Sequence, residues 1–143
     1  MNRTEYIAQC AKNMEVFESM VTIKTPQAIY DYMGNHTSRE TEVVSVVLLD
    51  GAHKVISIID VASGILNRCL LHPREIFRPA IAANCASIIV MHNHPSGQLE
   101  FSVEDTDCGI RLRNAGEIVG IQLLDFMIYS KLGFKSMLED NGL

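Results

Sequence analysis

The feature that most constrains this chain is the apolar run SIIVM at residues 87–91, which ends directly in His92. A short β-branched run without polar alternation is typical of a strand that is covered on both faces. His94 follows two positions after His92, and side chains two apart on a strand point to the same side. The sequence therefore predicts a central strand whose exposed end carries two neighbouring imidazole rings.

The segments around this strand predict further helices and strands. A hydroxyl N-cap followed by proline indicates a helix start, and an Asp-Gly turn between β-branched runs indicates a hairpin. The expected elements are a helix from Thr25-Pro26 to about Gly34, a loop over 35–40, a hairpin of strands 43–49 and 54–61 across Asp50-Gly51, a short strand over 67–71, a helix from Pro73 to about Asn84, a helix from Ser102 to about Gly116, a strand-rich stretch over 118–129 and an edge strand over 134–138. They indicate an α/β fold in which a mixed β-sheet is packed by two or three helices.

The length of 143 residues suits one ordinary domain. We expect residues 22–143 to form this domain and residues 1–21 to be an N-terminal extension, since residues 4–20 mix helical with strand-like spacing. No cysteine lies in a C-x-x-C pair, and no apolar run approaches the roughly 20 residues of a membrane span. With no signal peptide in the first residues, a reducing cytoplasm is the expected compartment.

The charge balance bears on the class of partner. The formal net charge is -5, and the longest basic cluster is Arg111 with Arg113. A sequence-independent grip on DNA or RNA requires a cationic face that displaces counterions. Direct nucleic-acid binding is therefore not expected, and a membrane is not an expected partner either.

The residues after the apolar strand form the pattern H-x-H-x7-S-x2-D, made by His92, His94, Ser102 and Asp105. Two imidazoles and a carboxylate are zinc ligands, and three protein ligands leave the fourth tetrahedral position to water, as in catalytic zinc sites. Zinc lowers the pKa of such a water to about 7. The pattern predicts a catalytic metal site, with Ser102 holding the water or a developing oxyanion.

Each part of the pattern also has a plainer interpretation. A lone H-x-H is a weak signal, and Ser102 to Asp105 reads by itself as a helix-capping box. The metal interpretation rests on the conjunction of the apolar strand, the paired histidines and the capped helix. A general base is also needed, and the candidates are Glu40, Glu42 and Glu75. Glu75 lies in a predicted first helical turn, where acids are favoured in any case.

The full string H-N-H-P-S-G-x4-S-x2-D resembles the metal motif of the JAB/MPN-type (JAMM) metalloproteases, in the form seen in the RadC family. Similar stretches are TEVVSVVLLDG at residues 41–51, HPREI at residues 72–76 with the alanine-rich helix after it, Ala115-Gly116 and residues 123–125. The resemblance covers residues 22–143 and implies a cytidine-deaminase-like JAB/MPN architecture.

The resemblance also implies roles for the site residues. His92, His94 and Asp105 match the ligands of one Zn²⁺ per chain, Ser102 matches the serine that assists the oxyanion, and Glu42 best matches the general base. The implied reaction is hydrolysis of a peptide or isopeptide bond, in which Glu42 takes a proton from the zinc-bound water and returns it to the leaving amine.

Two departures from the family pattern stand out. RadC proteins often carry an N-terminal helix-hairpin-helix region, for which this chain has no room, so a DNA link from that region does not transfer. The family commonly has histidine after Leu-Leu-Asp, where this chain has Phe126. Phe126 is not an expected ligand, so only a substrate contact is expected to differ.

Three functions remain open from the sequence. The first is a zinc metallopeptidase or isopeptidase acting on a peptide or protein substrate. The second is a DNA-repair-associated protein of the RadC type, and the third is a metal-binding or interaction scaffold without turnover. The substrate and the oligomeric state are not encoded in any motif, because one hydrolase fold serves many substrates.

Overall fold

One five-stranded sheet forms the centre of the computed structural model, which describes residues 2–5, 8, 21–64 and 72–140. The strands are β1 (Val43–Leu49), β2 (Val55–Ser63), β3 (Ser87–Asn93), β4 (Gln122–Ser130) and β5 (Gly133–Ser136). The helices are α1 (Pro26–Met33), α2 (Pro73–Ala82) and α3 (Val103–Val119), and a 3₁₀ helix spans Gly34–Ser38. The predicted α/β fold, a mixed sheet with helices packed against it, is confirmed.

β3 lies at the centre of the sheet, as its apolar sequence predicts. The strand order is β2-β1-β3-β4-β5. β1 pairs antiparallel with β2 and with β3, β3 pairs parallel with β4, and β5 pairs antiparallel with β4. Parallel neighbours require a crossover connection, which α3 supplies between β3 and β4. The first turn of α3 is therefore brought back to the carboxyl end of β3.

Both faces of the sheet are covered, which explains why the central strands lack polar alternation. α2 and α3 cover one face, where Phe77 and Leu112 pack with the strand residues Val46 and Val90. α1 covers the other face, where Ile29 lies in a second apolar cluster. Among the described residues, the helices lack the combination of length and hydropathy that a membrane span requires.

Local sequence signals set where several elements begin and turn. The Thr25 hydroxyl oxygen accepts the Ala28 backbone N–H at 3.1 Å, which caps α1 as predicted. Between β1 and β2, the Asp50 carboxylate accepts the backbone N–H groups of Ala52 and Lys54 at 2.8 and 2.9 Å. An Asp that bonds the backbone a few residues ahead stabilises a tight turn, so the predicted hairpin is confirmed.

Several predicted boundaries are wrong. The edge strand expected over 134–138 is β5, which begins one residue earlier and ends two residues earlier. The predicted loop over 35–40 contains the 3₁₀ helix, and α3 continues past Gly116 to Val119, so β4 begins later than the predicted stretch over 118–129. Gly116 is a packing residue, because a Cβ there would lie 2.4 Å from the Ile121 carbonyl oxygen. The helix stops at Gly120, which has the left-handed φ of 77° that favours glycine. The predicted strand over 67–71 lies outside the described residues, as does most of the predicted extension over 1–21.

A buried carboxylate joins β4 to the residues around β5. Asp125 accepts hydrogen bonds from the Ser136 hydroxyl and from the backbone N–H groups of Phe126 and Leu138, the latter two at 2.8 and 3.0 Å. Only 3% of Asp125 is exposed. Burial raises the pKa of its carboxyl above the ordinary 3.8, although these three donors act in the opposite direction.

Replacing Asp125 with Asn is expected to stabilise the fold relative to wild type, by an amount that grows as the pH rises from about 4 to 7. Because the pKa is raised, folding favours the neutral carboxyl. The neutral form contributes fully to the free energy of unfolding below pH 3.8, and this contribution is lost as the pH rises through the folded-state pKa. The amide keeps an oxygen for both backbone donors and offers an N–H to Ser136. Urea denaturation at two pH values measures the effect, with exposed Asp140→Asn as the control. A difference that does not change with pH would contradict the prediction.

Candidate metal centre

Two histidines meet at the carboxyl end of β3, as the sequence predicts. The His92 and His94 rings are 4.8 Å apart between centroids and nearly perpendicular, at 84°. Both residues are buried, with 1% and 8% of their surface exposed. In α/β sheets, ligands bind outside the carboxyl ends of the strands, so the position suits a binding site.

The His94 ring is held in one orientation by the backbone around it. The His94 backbone N–H donates to the Tyr129 carbonyl at 2.8 Å, and the ring Nδ1 lies 2.8 Å from the Gln98 carbonyl oxygen. A carbonyl only accepts, so Nδ1 is a ring nitrogen that carries a hydrogen. This is the arrangement by which outer partners orient metal-binding histidines.

Glu42 reaches His92 because of the pairing between β1 and β3. Glu42 directly precedes β1, and the antiparallel register places Val44 opposite His92. The Glu42 carbonyl accepts the Gly64 N–H at 2.9 Å, which ties it to the end of β2. One carboxylate oxygen, Oε1, lies 3.6 Å from His92 Nε2, and the Glu42 side chain is 31% exposed. The carboxylate is therefore next to the imidazole and accessible to water.

Asn93, for which the sequence analysis predicted no role, fixes the segment around Glu42 through its side-chain amide. Its side-chain oxygen accepts the Val43 N–H, and its amide nitrogen donates to the Thr41 carbonyl at 2.9 Å. Asn93 is 1% exposed. The signal that could have identified it is a polar amide between two histidines at the end of an apolar strand, where a buried amide must find partners.

Asp105 and Ser102 form the capping box of α3. The Ser102 hydroxyl oxygen accepts the Asp105 N–H at 3.1 Å, and Asp105 Oδ2 accepts the Ser102 N–H at 3.0 Å. The capping interpretation is therefore confirmed. The other oxygen, Asp105 Oδ1, lies 4.0 Å from His92 Nδ1, and the side chain is 1% exposed. The cap thus places one carboxylate oxygen beside the His92 ring.

Among the described residues, Glu42, His92 and His94 form a group whose ligand atoms all lie within 4.8 Å of one another. That separation lets one small ion lie among them, and imidazole and carboxylate are ligands that zinc and other first-row metals take. The residues thus fit a metal ion. Asp105 lies on the Nδ1 side of His92 rather than within this group, so its role as the third ligand stays a prediction.

The other two candidate bases lie elsewhere. Glu75 is in the first turn of α2, where its carboxylate is 3.6 Å from Arg74. Glu40 lines a neighbouring cavity with Thr37 and Lys131. Of the three glutamates, Glu42 is the one that the fold brings to the histidines, because it is anchored at the start of a strand paired with β3.

Replacing Asn93 with Ala is expected to lower the free energy of unfolding by about 1–3 kcal/mol, because a buried N–H and a carbonyl lose their partner. The measurement is urea denaturation followed by circular dichroism. Gln122→Ala is the matched control, since it removes an exposed amide from the neighbouring β4. Equal losses of stability in the two variants would show that the Asn93 hydrogen bonds do not hold this segment.

Comparison with known proteins identifies the family. A family model described as RadC-like JAB domain matches residues 23–143. A UPF0758 protein of Clostridium beijerinckii is 40% identical over 129 residues, which cover 90% of this chain and 56% of the relative. A UPF0758 protein of Thermotoga maritima is 42% identical over 115 residues, covering 80% and 52%. The chain thus spans about half the length of the curated relatives it matches.

The match extends well beyond the metal motif. It begins before α1 and includes the whole described sheet, the two histidines at the end of β3 and the capped helix α3. Since it covers most of the chain, and the fold agrees with it, the chain belongs to the RadC-like JAB domain family.

Proposed function

We propose that this protein is a zinc-dependent hydrolase that cleaves peptide or isopeptide bonds in a peptide or protein substrate. The observation that carries the proposal is the Glu42 carboxylate 3.6 Å from His92 at the rim of a two-histidine site. A partly exposed carboxylate beside metal-binding imidazoles is suited to proton transfer to and from a substrate. A purely structural metal site does not need such a group, since its coordination is closed by protein ligands.

The proposed zinc ligands are His92, His94 and Asp105. In support, His94 Nδ1 contacts the Gln98 carbonyl, so Nε2 would be the nitrogen that binds the ion. Asp105 Oδ2 accepts a hydrogen bond in the capping box, so Oδ1, 4.0 Å from His92 Nδ1, would be the oxygen that binds it. When bound there, zinc would lower the pKa of a water to about 7 and polarise a substrate carbonyl. The close grouping of Glu42 with the histidines makes Glu42 the alternative third ligand.

The protein residues supply the proton transfers and part of the charge stabilisation. Glu42 accepts a proton from the attacking water and then donates it to the leaving amine, so one carboxylate serves first as the general base and then as the general acid. Ser102 uses its oxygen to cap α3, so its hydroxyl hydrogen remains to donate toward the developing oxyanion. The Gln98 carbonyl orients the His94 ring, and the Gly64 N–H fixes the backbone from which the Glu42 side chain extends.

The test is cleavage of two probe sets by zinc-loaded protein: quenched fluorescent peptides and peptides joined through a lysine side chain. Cleavage of at least one set that is abolished by a chelator and restored by zinc is the expected result. Protein that holds zinc yet cleaves neither set would contradict the proposal and favour a scaffold without turnover.

A further inference from the structure

A polar cavity of about 270 Å³ opens beside the candidate metal centre. Three of its lining residues are close in sequence to residues of that centre. Pro95 follows His94, and Glu40 lies two positions before Glu42. Ser130 follows Tyr129, whose carbonyl accepts the His94 backbone N–H. Its volume is below the roughly 300–1,000 Å³ of pockets for drug-sized ligands. The cavity therefore suits one side chain or chain end of a substrate whose reacting bond lies at the histidines.

Arg39 lines this cavity, and an ion pair with a residue outside the lining fixes its guanidinium. Its Nη1 lies 3.0 Å from Asp60 Oδ2, and the other Asp60 oxygen accepts the Ser45 hydroxyl at 2.7 Å. Ser45 is fully buried in β1, so the chain of contacts anchors the guanidinium to the sheet. Arginine offers five donors in a planar fork, and one carboxylate does not use all of them.

A second cation also lines this cavity. Lys131, in the turn between β4 and β5, forms no ion pair with any described residue. The Ser130 hydroxyl oxygen accepts the Leu132 N–H at 3.0 Å, so its hydrogen can donate into the cavity. Glu40 is the opposing charge among the lining residues. The lining thus contains two cations and one anion, while Asp60 pairs with Arg39 from outside the lining.

We propose that this cavity is a substrate subsite for a carboxylate, bound by the Arg39 fork and by Lys131. The inference rests on the proposed hydrolase function, and it narrows the substrate to one with an acidic group close to the scissile bond. Arginine recognises carboxylates through two parallel charge-assisted hydrogen bonds. The carboxylate comes either from an Asp or Glu side chain or from a free chain end.

The test is a titration of the isotope-labelled full chain with three short peptides, followed by the amide signals of the cavity residues. The probes are acetyl-Gly-Glu-Gly-amide, its Gln counterpart, and acetyl-Gly-Gly-Gly with a free terminal acid. The Glu peptide is expected to bind about tenfold more tightly than the Gln peptide, as one charge-assisted contact would give. Binding of the free acid, compared with that of the Glu peptide, distinguishes the two sources of carboxylate.

Three variants locate the binding. Arg39→Lys keeps the charge and the Asp60 contact but loses the fork, and about a tenfold loss of Glu-peptide affinity is expected. Lys131→Ala is expected to weaken binding severalfold, whereas Lys135→Ala, outside the cavity, is expected to leave it unchanged. Urea denaturation checks that each variant is folded. Equal binding of the Glu and Gln peptides, or affinity untouched in both cavity variants, would overturn the proposal.

This readout separates the two proposals, because peptide binding is measured without turnover. Zinc-dependent cleavage with no preference for Glu over Gln would leave the hydrolase proposal standing and remove the subsite. Selective Glu-peptide binding without cleavage of either probe set would leave a carboxylate-binding cavity and remove its role in hydrolysis.

Discussion

Replacing Glu42 with Gln is expected to lower turnover by about 10²–10⁴-fold while the zinc content of the protein stays unchanged. The amide is nearly the same size as the carboxylate but cannot take a proton from water at neutral pH. Its backbone contacts, including the Gly64 N–H, remain. The measurement is the rate of cleavage of the best probe, together with metal analysis of the same sample.

Glu75→Gln is the matched control for that variant, because Glu75 is another glutamate considered as the base and lies beside Arg74 on α2. It is expected to cleave at the wild-type rate. Full activity in Glu42→Gln would exclude Glu42 as the base. Loss of zinc together with activity would instead identify Glu42 as a ligand.

Replacing Asp105 with Ala is expected to weaken zinc binding by at least about a hundredfold. Even the loss of a residue that only hydrogen-bonds a ligand lowers metal affinity by about 10–100-fold. The same change removes one half of the capping box, which is expected to cost about 1 kcal/mol of unfolding free energy. Competition with a coloured zinc chelator measures the affinity, and urea denaturation of the metal-free protein measures the stability.

Ser102→Ala separates these two effects. It removes the other half of the cap, and so is expected to cost a similar amount of stability, but it leaves the Asp105 carboxylate for the metal. Wild-type zinc affinity in Asp105→Ala, with loss of affinity in Glu42→Gln, would assign the site to Glu42, His92 and His94, the group whose ligand atoms lie closest together.

The central part of the fold could be predicted because its signals are local. The SIIVM run specifies a strand buried on both faces, and Ser102 with Asp105 specifies a helix start, whatever surrounds them. The spacing of His92 and His94 then fixes their common side. These features place the histidine pair and the capped helix with no knowledge of strand order.

The rest depends on which strands become neighbours. Glu42 is about 50 positions from His92 in the chain, and only the pairing of β1 with β3 brings them together. The same pairing gives Asn93 its partners at Thr41 and Val43. The predicted end of α3 is wrong because a glycine after a helical pattern is a common stop signal. The reason for glycine at position 116 is instead its close packing against the residues that lead into β4.

The polar cavity beside the histidines likewise depends on segments that are distant in the sequence. Its lining comes from the 3₁₀ region, the turn after His94 and the turn between β4 and β5. In the sequence, Arg39 is an isolated basic residue in a predicted loop. Only the fold shows that it pairs with Asp60 on β2. Charge counts along the chain do not reveal such a site, because the overall balance is acidic.

If the histidine pair holds a catalytic zinc ion, as proposed, the purified protein should contain it. The measurement is elemental analysis of wild type and His94→Ala, both purified without added metal, followed by titration with zinc. We expect about one zinc per chain in wild type and almost none in the variant, because the variant lacks one of the proposed ligands. Wild-type protein that holds no metal and takes up none on titration would exclude the zinc hydrolase and leave a JAB-type scaffold without metal chemistry.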